Sequence, residues 1–215
     1  MALKRKRAKK LWDSAISHMQ KNEGNALNWA RETDPKRFKN MEATEFLESY
    51  CFVVYASGFR YRIIKKKFPA ISEAFHYFDL DKMSQMRSID TVLAAFGNKR
   101  KANSVLKGAQ LIAVESYPDF KRRIERIGVD ALVALPGIGP ITKDHLAKNI
   151  GLADVAKEDV WLIRAAKTCK ADSVSELIDF LHDWTGETRH VIDVVLWTFG
   201  RDRKLEKFSS KVKLG

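Results

Sequence analysis

Helical spacing of apolar residues is the feature that most limits how this sequence can fold. Leu11, Ala15 and Met19 recur at intervals of four, which places them on one face of a helix. Residues 44–56 (TEFLESYCFVVYA) are apolar nearly all round, a pattern typical of a helix in the centre of a bundle. Sustained alternation of β-branched and polar residues is missing, and so is an Asn-Gly hairpin turn. The sequence therefore predicts an all-α protein of about ten short helices.

Charge and cysteine content narrow the class of partner and the compartment. The 215-residue chain has 39 Lys and Arg against 27 Asp and Glu, a formal net charge of +12. A protein this basic usually binds a polyanion, most often nucleic acid. Only two cysteines occur, Cys51 and Cys169, far apart in the chain, which excludes a four-cysteine iron–sulfur cluster and indicates a reducing compartment. No apolar run is long enough to span a membrane, so we expect an intracellular protein of the cytoplasm or nucleoid, or of the nucleus in a eukaryote.

Residues 4–10 (KRKRAKK) are a run of basic residues at the start of the chain. Such a run usually extends into solvent, and phosphate contact and nuclear targeting are the alternatives. We expect a solvated arm here, followed by a short helix over residues 11–21.

Two glycines flank one isoleucine in residues 135–151 (LPGIGPITKDHLAKNIG), between two helical stretches. The purely structural interpretation is an αα-hairpin whose glycines only end one helix and begin the next. The functional one is an anion site, because glycine lets the backbone amides of a tight turn face outwards at the positive end of a helix dipole. The phosphate-binding candidates are Gly137, Gly139, Ile141 and Thr142.

An aspartate follows Gly137 at a distance of 22 residues, in residues 157–167 (KEDVWLIRAAK). Asp159 stands directly before an apolar helical run, where aspartate is a favoured N-cap. Capping and catalysis are compatible, because an aspartate at a helix start carries its charge beside the positive end of the dipole.

Together the two stretches resemble the helix-hairpin-helix (HhH-GPD) DNA glycosylase superfamily. In that family LPG(V/I)G is followed by V-D-x-x-(I/L)-x-R, and Asp159, Leu162 and Arg164 stand at the matching positions. Between residues 44 and 112, SGFRYRIIKKK and AFHYFDLDKM are more faintly similar to 3-methyladenine DNA glycosylases.

The resemblance implies two helical lobes with the active site in the cleft between them. One lobe would be a bundle of residues 43–152 that contains the helix-hairpin-helix, about 128–151; the other would combine residues 1–42 and 153–215. Asp159 would be catalytic, because a fixed carboxylate stabilises the positive charge that develops on deoxyribose when the base leaves, and it could also orient or deprotonate water. No metal or organic cofactor is expected.

The resemblance also bears on the type of glycosylase. Members that also cut the strand carry a nucleophilic lysine two residues after the second glycine, and Ile141 stands there in this chain. Lys143 is two residues further along and would need a different presentation. Without an amine at this position, water is the expected nucleophile, and a monofunctional enzyme is predicted.

A base inside a duplex is out of reach, so the nucleotide must be flipped out and the gap in the stack filled. The candidates for filling it lie in residues 95–105 (AFGNKRKANSV) and are Asn98, Lys99 and Arg100, with Lys101 as a possible contact to a flanking phosphate, or else this is a basic surface turn. For the base pocket the candidates are Tyr55, Phe59, Tyr61 and Trp161, although such aromatic residues are more often core. Aromatic stacking suits a cationic N-alkylated purine. Residues 50–57 (YCFVVYAS) lack the glutamate that methyladenine-specific relatives use, which puts close mimicry of their recognition in doubt.

These features predict a monofunctional DNA glycosylase that removes a damaged base, an alkylated purine, from double-stranded DNA. We expect a monomer with no membrane partner. The alternatives are a non-catalytic helix-hairpin-helix DNA-binding protein and a bifunctional glycosylase with lyase activity.

Overall fold

The computed structural model describes residues 3–33 and 36–213, with side chains through residue 210. Its described residues form helices joined by loops, without a strand, which confirms the all-α prediction. None of the helices in this part of the chain is both long and apolar enough to cross a bilayer. The α-helices are α1 (Arg5–Asn22), α2 (Gly24–Glu32), α3 (Ala43–Ala56), α4 (Tyr61–Ala74), α5 (Leu80–Gln85), α6 (Asp90–Ala95), α7 (Lys99–Glu115), α8 (Tyr117–Ile127), α9 (Pro140–Asn149), α10 (Val160–Cys169), α11 (Val174–Thr185), α12 (Arg189–Arg201) and α13 (Lys204–Lys213). Short 3-10 helices cover Arg37–Asn40, His76–Phe78 and Val129–Ala134.

The chain divides into two compact units, residues 35–153 and residues 1–34 with 154–215. We call the first the hairpin unit and the second the aspartate unit. The predicted division placed all of residues 1–42 in the second lobe, but the described residues 36–42 belong to the hairpin unit. Phe38 is buried against Phe46, with ring centroids 6.1 Å apart, and the Tyr117 hydroxyl donates to the Met41 carbonyl at 2.9 Å. These contacts attach the segment to the hairpin unit.

Helix α3 is the centre of the hairpin unit. It buries seven side chains and packs against α4, α7 and α9, as its nearly continuous apolar sequence predicts. Glu42 and Glu45 close a reciprocal capping box at its start, with the Glu42 amide donating to Glu45 Oε2 at 3.1 Å. Gly108 of α7 is needed where α7 crosses α3, because a Cβ atom there would overlap the Tyr50 ring.

The aspartate unit has its core between α1, α10, α11 and α12. Helix α1 begins at Arg5, so the predicted solvated arm over residues 4–10 is wrong. The reason is that Ala8 extends the apolar face of Leu11 and Ala15 by one turn and is fully buried. Arg7 donates to the Thr168 carbonyl at 2.9 Å, which further holds this turn of the helix.

Candidate nucleic-acid interface and catalytic carboxylate

The segment from 129 to 149, which we call the glycine hairpin, consists of the 3-10 helix Val129–Ala134, a glycine loop and α9. Gly137 has a φ of +83°, a left-handed conformation that favours glycine. A Cβ atom on Gly137 would lie 3.1 Å from Ser104 Cβ and 3.3 Å from Val54 Cγ1. Position 137 therefore requires glycine for two reasons: its backbone dihedral angle and its close approach to α3 and α7.

Tyr50 anchors the same turn from inside the hairpin unit. Its single hydroxyl proton is shared between two carbonyls, that of Pro136 at 2.5 Å and that of Ser104 at 2.9 Å. Burial raises the pKa of the Tyr50 hydroxyl, which keeps its proton available for these bonds. One side chain of α3 thus joins the start of the glycine loop to α7.

The amides of the glycine loop are not all available to a ligand. The Gly139 amide donates to Thr142 Oγ1 at 2.7 Å, so the expectation that it faces outwards is wrong. Thr142 Oγ1 can accept from the Gly139 amide because Thr142 is three residues further along the chain, the spacing of a capping side chain. The amides of Ile141 and Thr142, in the first turn of α9, have no acceptor within the described part of the chain, and neither has that of Gly137. With Ile141 about half exposed, these three amides are the remaining donors for an anion.

Helix α7 contacts the glycine hairpin through Ser104, and its first turn carries the predicted wedge residues. Asn98 is its N-cap and accepts from the Lys101 amide at 3.1 Å, so its side chain is occupied and is not a free wedge. Lys99 and Arg100 are exposed on the same turn. The hairpin unit as a whole carries 20 Lys and Arg against 12 Asp and Glu, most of the positive charge of the chain. Basic side chains and free amides therefore occur in the same unit.

Lys101, the possible contact to a flanking phosphate, points into the hairpin unit. It is buried, and its ammonium donates to the Val54 carbonyl and, at 2.7 Å, to the Ser57 carbonyl. The same atom lies 5.4 Å from the centre of the Phe59 ring. These acceptors end α3, where carbonyls lack helical partners, so a cation is favoured there. Desolvation by burial is the largest influence on Lys101 and lowers its pKa.

Lys101, Tyr50 and Gly137 together bring three loops of the hairpin unit to one place. The α3–α4 loop is held through Ser57, the start of α7 through Lys101 itself, and the glycine loop through Pro136. The sequence separates these loops by dozens of residues. Their meeting point is where we locate the candidate nucleic-acid interface.

The predicted pocket aromatics are dispersed. Phe59 is 40% exposed in the α3–α4 loop and packs edge-on against Phe96, with centroids 5.2 Å apart. Tyr55 also packs edge-on against Phe96, with ring centroids 5.6 Å apart. Because Tyr55 is fully buried, it belongs to the core and not to the wall of an open pocket. Its hydroxyl has no hydrogen-bond partner among the described residues, and burial raises its pKa. Tyr61 packs against Phe52 and Lys65.

Asp159 is the N-cap of α10 in the aspartate unit. Its Oδ1 accepts from the Trp161 amide at 2.9 Å and from the Leu162 amide at 3.3 Å. Its second oxygen, Oδ2, lies 3.6 Å from the Lys157 ammonium. The Asp159 side chain is 13% exposed, so one carboxylate oxygen is fixed by backbone and the other is partly shielded beside a cation. Sequence reasoning missed Lys157, although a lysine two residues before the aspartate was the signal.

Trp161 is a packing residue and not a free pocket wall. A Cβ atom on Gly200 would lie 2.9 Å from Trp161 Cβ, so α12 approaches α10 closely at this point. The Arg164 guanidinium lies 4.9 Å from the Trp161 ring centre and 3.7 Å from Glu206. Arg164 therefore covers part of the indole ring.

Lys143, the alternative amine, is already paired. Its ammonium donates to Asp130 across the glycine hairpin, and this hydrogen bond raises the pKa of Lys143. A lysine held in its charged form is a poor nucleophile. Among the described residues no group of three or more His, Cys, Asp or Glu is arranged to hold a metal ion.

Comparisons with protein-family models, with curated proteins and with solved structures give no match to this chain. The family resemblance therefore remains a prediction that rests on the residues themselves.

Proposed function

We propose that this chain is a monofunctional DNA glycosylase that hydrolyses the N-glycosidic bond of an alkylated purine flipped out of double-stranded DNA. The observation that carries the proposal is the Asp159 carboxylate, fixed at Oδ1 by two amides of α10. It stands directly before the stretch VWLIR, downstream of LPGIG, and it is mostly shielded from solvent. Such a preorganised anion suits a reaction that develops positive charge.

The reaction would proceed by departure of the base from C1′ of deoxyribose. The bonding electron pair leaves with the base, and an N-alkylated purine that already carries positive charge leaves as a neutral molecule. The sugar becomes cationic, and a carboxylate facing it lowers the energy of that state. Water then adds to C1′, and Asp159 accepts the proton that the water releases.

DNA would be held by the glycine hairpin and the adjoining loops. The amides of Gly137, Ile141 and Thr142 suit a phosphate, and Lys99 and Arg100 supply positive charge. Lys99 and Arg100 also remain the candidates for filling the gap in the stack, whereas Asn98 is committed to its cap. We expect the protein to act as a monomer inside the cell.

The same features speak against lyase chemistry. Ile141 provides no amine, and Lys143 is held as a cation by Asp130. Borohydride reduction in the presence of substrate should therefore trap no covalent protein–DNA adduct. A trapped adduct would replace the monofunctional proposal with a bifunctional one.

A non-catalytic DNA-binding protein is the second candidate. The free amides and the excess of basic residues are in the hairpin unit, so binding would not require Asp159. The two candidates are separated by assaying abasic-site formation on duplexes with alkylated, oxidised or deaminated bases. We expect excision of alkylated purines by the wild type and a loss of at least about 100-fold for Asp159→Asn. Absence of excision by the wild type would leave only the binding function. Equal excision rates for both proteins would show that Asp159 is not the catalytic residue.

A further inference from the structure

Lys157 stands beside the proposed catalytic carboxylate without being needed to position it. The Asp159 carboxylate is held through Oδ1 by the amides of Trp161 and Leu162. The backbone of this segment is held separately, because the Lys157 amide donates to Asp193 Oδ2 and the Asp159 amide donates to the Lys157 carbonyl at 2.8 Å. The Lys157 ammonium therefore adds positive charge beside the Asp159 carboxylate but does not hold that carboxylate in place.

That charge opposes the proposed chemistry. The ammonium lies 3.6 Å from Asp159 Oδ2, within ion-pair range but longer than a tight charged hydrogen bond. A cation at this distance offsets the negative field of the carboxylate and repels the positive charge that would develop on the sugar. A carboxylate that is to stabilise a sugar cation works better without it.

The Lys157 ammonium is also able to move away from Asp159. The side chain is 21% exposed, and lysine carries its point charge on a flexible four-carbon stem. A DNA substrate brings with it a row of anionic phosphates, which attract ammonium groups strongly. Asp159 and a phosphate are thus competing partners for one cation.

We propose that Lys157 exchanges partners when DNA binds, leaving Asp159 for a backbone phosphate and so freeing the carboxylate for the substrate. This inference rests on the proposed function, since it requires a DNA ligand. Lys157 would then act through Asp159 and link binding of the DNA backbone to the electrostatic state of the site.

The exchange has a consequence for affinity that does not depend on base excision. In the wild type, DNA binding must break the Lys157–Asp159 ion pair. Asp159→Asn removes the competing partner and should tighten binding about three- to fivefold more when Lys157 is present than when it is replaced, as expected for a partly shielded ion pair. Lys157→Met should reduce the slope of log affinity against log salt by about one, the value for one lost phosphate contact.

The test is a double-mutant cycle on DNA affinity. Fluorescence anisotropy is measured for the wild type, Lys157→Met, Asp159→Asn and the double variant, with a duplex that contains a tetrahydrofuran abasic-site analogue and stays intact. Lys21→Met, which removes an exposed lysine of α1 in the same unit, controls for the change in net charge. Circular dichroism confirms that every variant is folded.

Each outcome decides the matter. Coupling of at least threefold between the two positions, together with the lower salt slope, supports partner exchange. Additive effects, or a salt slope unchanged in Lys157→Met, overturn it while leaving the proposed function standing. If the wild type does not bind the duplex, both the proposed function and the exchange are wrong.

Discussion

Gly137→Ala tests whether the glycine hairpin is seated on α3 and α7 as the structure describes. Alanine at a φ of +83° is strained, which costs about 1–2 kcal/mol. Its Cβ atom would also lie 3.1 Å from Ser104 Cβ and 3.3 Å from Val54 Cγ1, closer than ordinary packing allows. Crowding of this kind adds about 1–3 kcal/mol. The total loss in the free energy of unfolding should be about 2–5 kcal/mol.

Gly58→Ala is the matched control. Gly58 lies in the same unit and has a similar φ of +77°, but a Cβ atom there would have no neighbour within 4 Å. This substitution should therefore cost only the backbone strain, about 1–2 kcal/mol. The difference between the two variants, about 1–3 kcal/mol, isolates the contact of Gly137 with Ser104 and Val54.

The measurement is urea unfolding followed by far-UV circular dichroism, with linear extrapolation to water. Circular dichroism is the suitable probe because all five tryptophans lie in the aspartate unit, so tryptophan fluorescence does not report directly on the hairpin unit. Equal losses for Gly137→Ala and Gly58→Ala would refute the reasoning. In that case the glycine loop would not be pressed against α3 and α7, and the three loops would not meet as described.

Two further predictions concern buried polar groups of the same unit. Tyr50→Phe should lower the free energy of unfolding by about 1–3 kcal/mol, because the carbonyls of Ser104 and Pro136 lose the hydroxyl proton that they share. Tyr55→Phe should be neutral or stabilising, because the Tyr55 hydroxyl has no partner in the described chain. Urea unfolding compares the two variants, and equal losses would contradict this assignment. Burial lowers the pKa of Lys101, so between that pKa and about 10.5 the unfolded chain binds more protons and stability rises with pH. Lys101→Met should abolish this rise in urea unfolding measured across alkaline buffers, and an unchanged pH profile would show that Lys101 is not desolvated.

Local pattern was sufficient for much of the fold and for part of the candidate site. Helical periodicity and the lack of strand alternation predicted the all-α class, because each depends only on residues within a few turns. Asp159 was recognised as an N-cap for the same reason, since a cap bonds to amides two and three residues ahead. The glycine loop was located because Pro and Gly limit backbone conformation wherever they occur.

Tertiary packing decided the environment of individual side chains. The exposed-looking basic run at the N-terminus became part of α1 because Ala8 is buried, and Lys101 turned inwards because α3 ends beside it. Tyr55 and Phe59 are aromatic residues only four positions apart, yet one is buried and the other exposed. Such outcomes depend on which helices, far away in the sequence, pack against the residue. The local spacing of apolar residues does not contain this information.

The sequence by itself determined that this chain is helical, where its glycine loop stands and which aspartate begins α10. Only the tertiary structure decided that the α3–α4 loop, the start of α7 and the glycine loop meet, and that the Gly139 amide donates to Thr142 Oγ1. The physical reason is range. Periodicity and capping act over one or two turns, whereas burial, desolvation and the contacts of Gly137 with Ser104 arise between segments that are far apart in the chain.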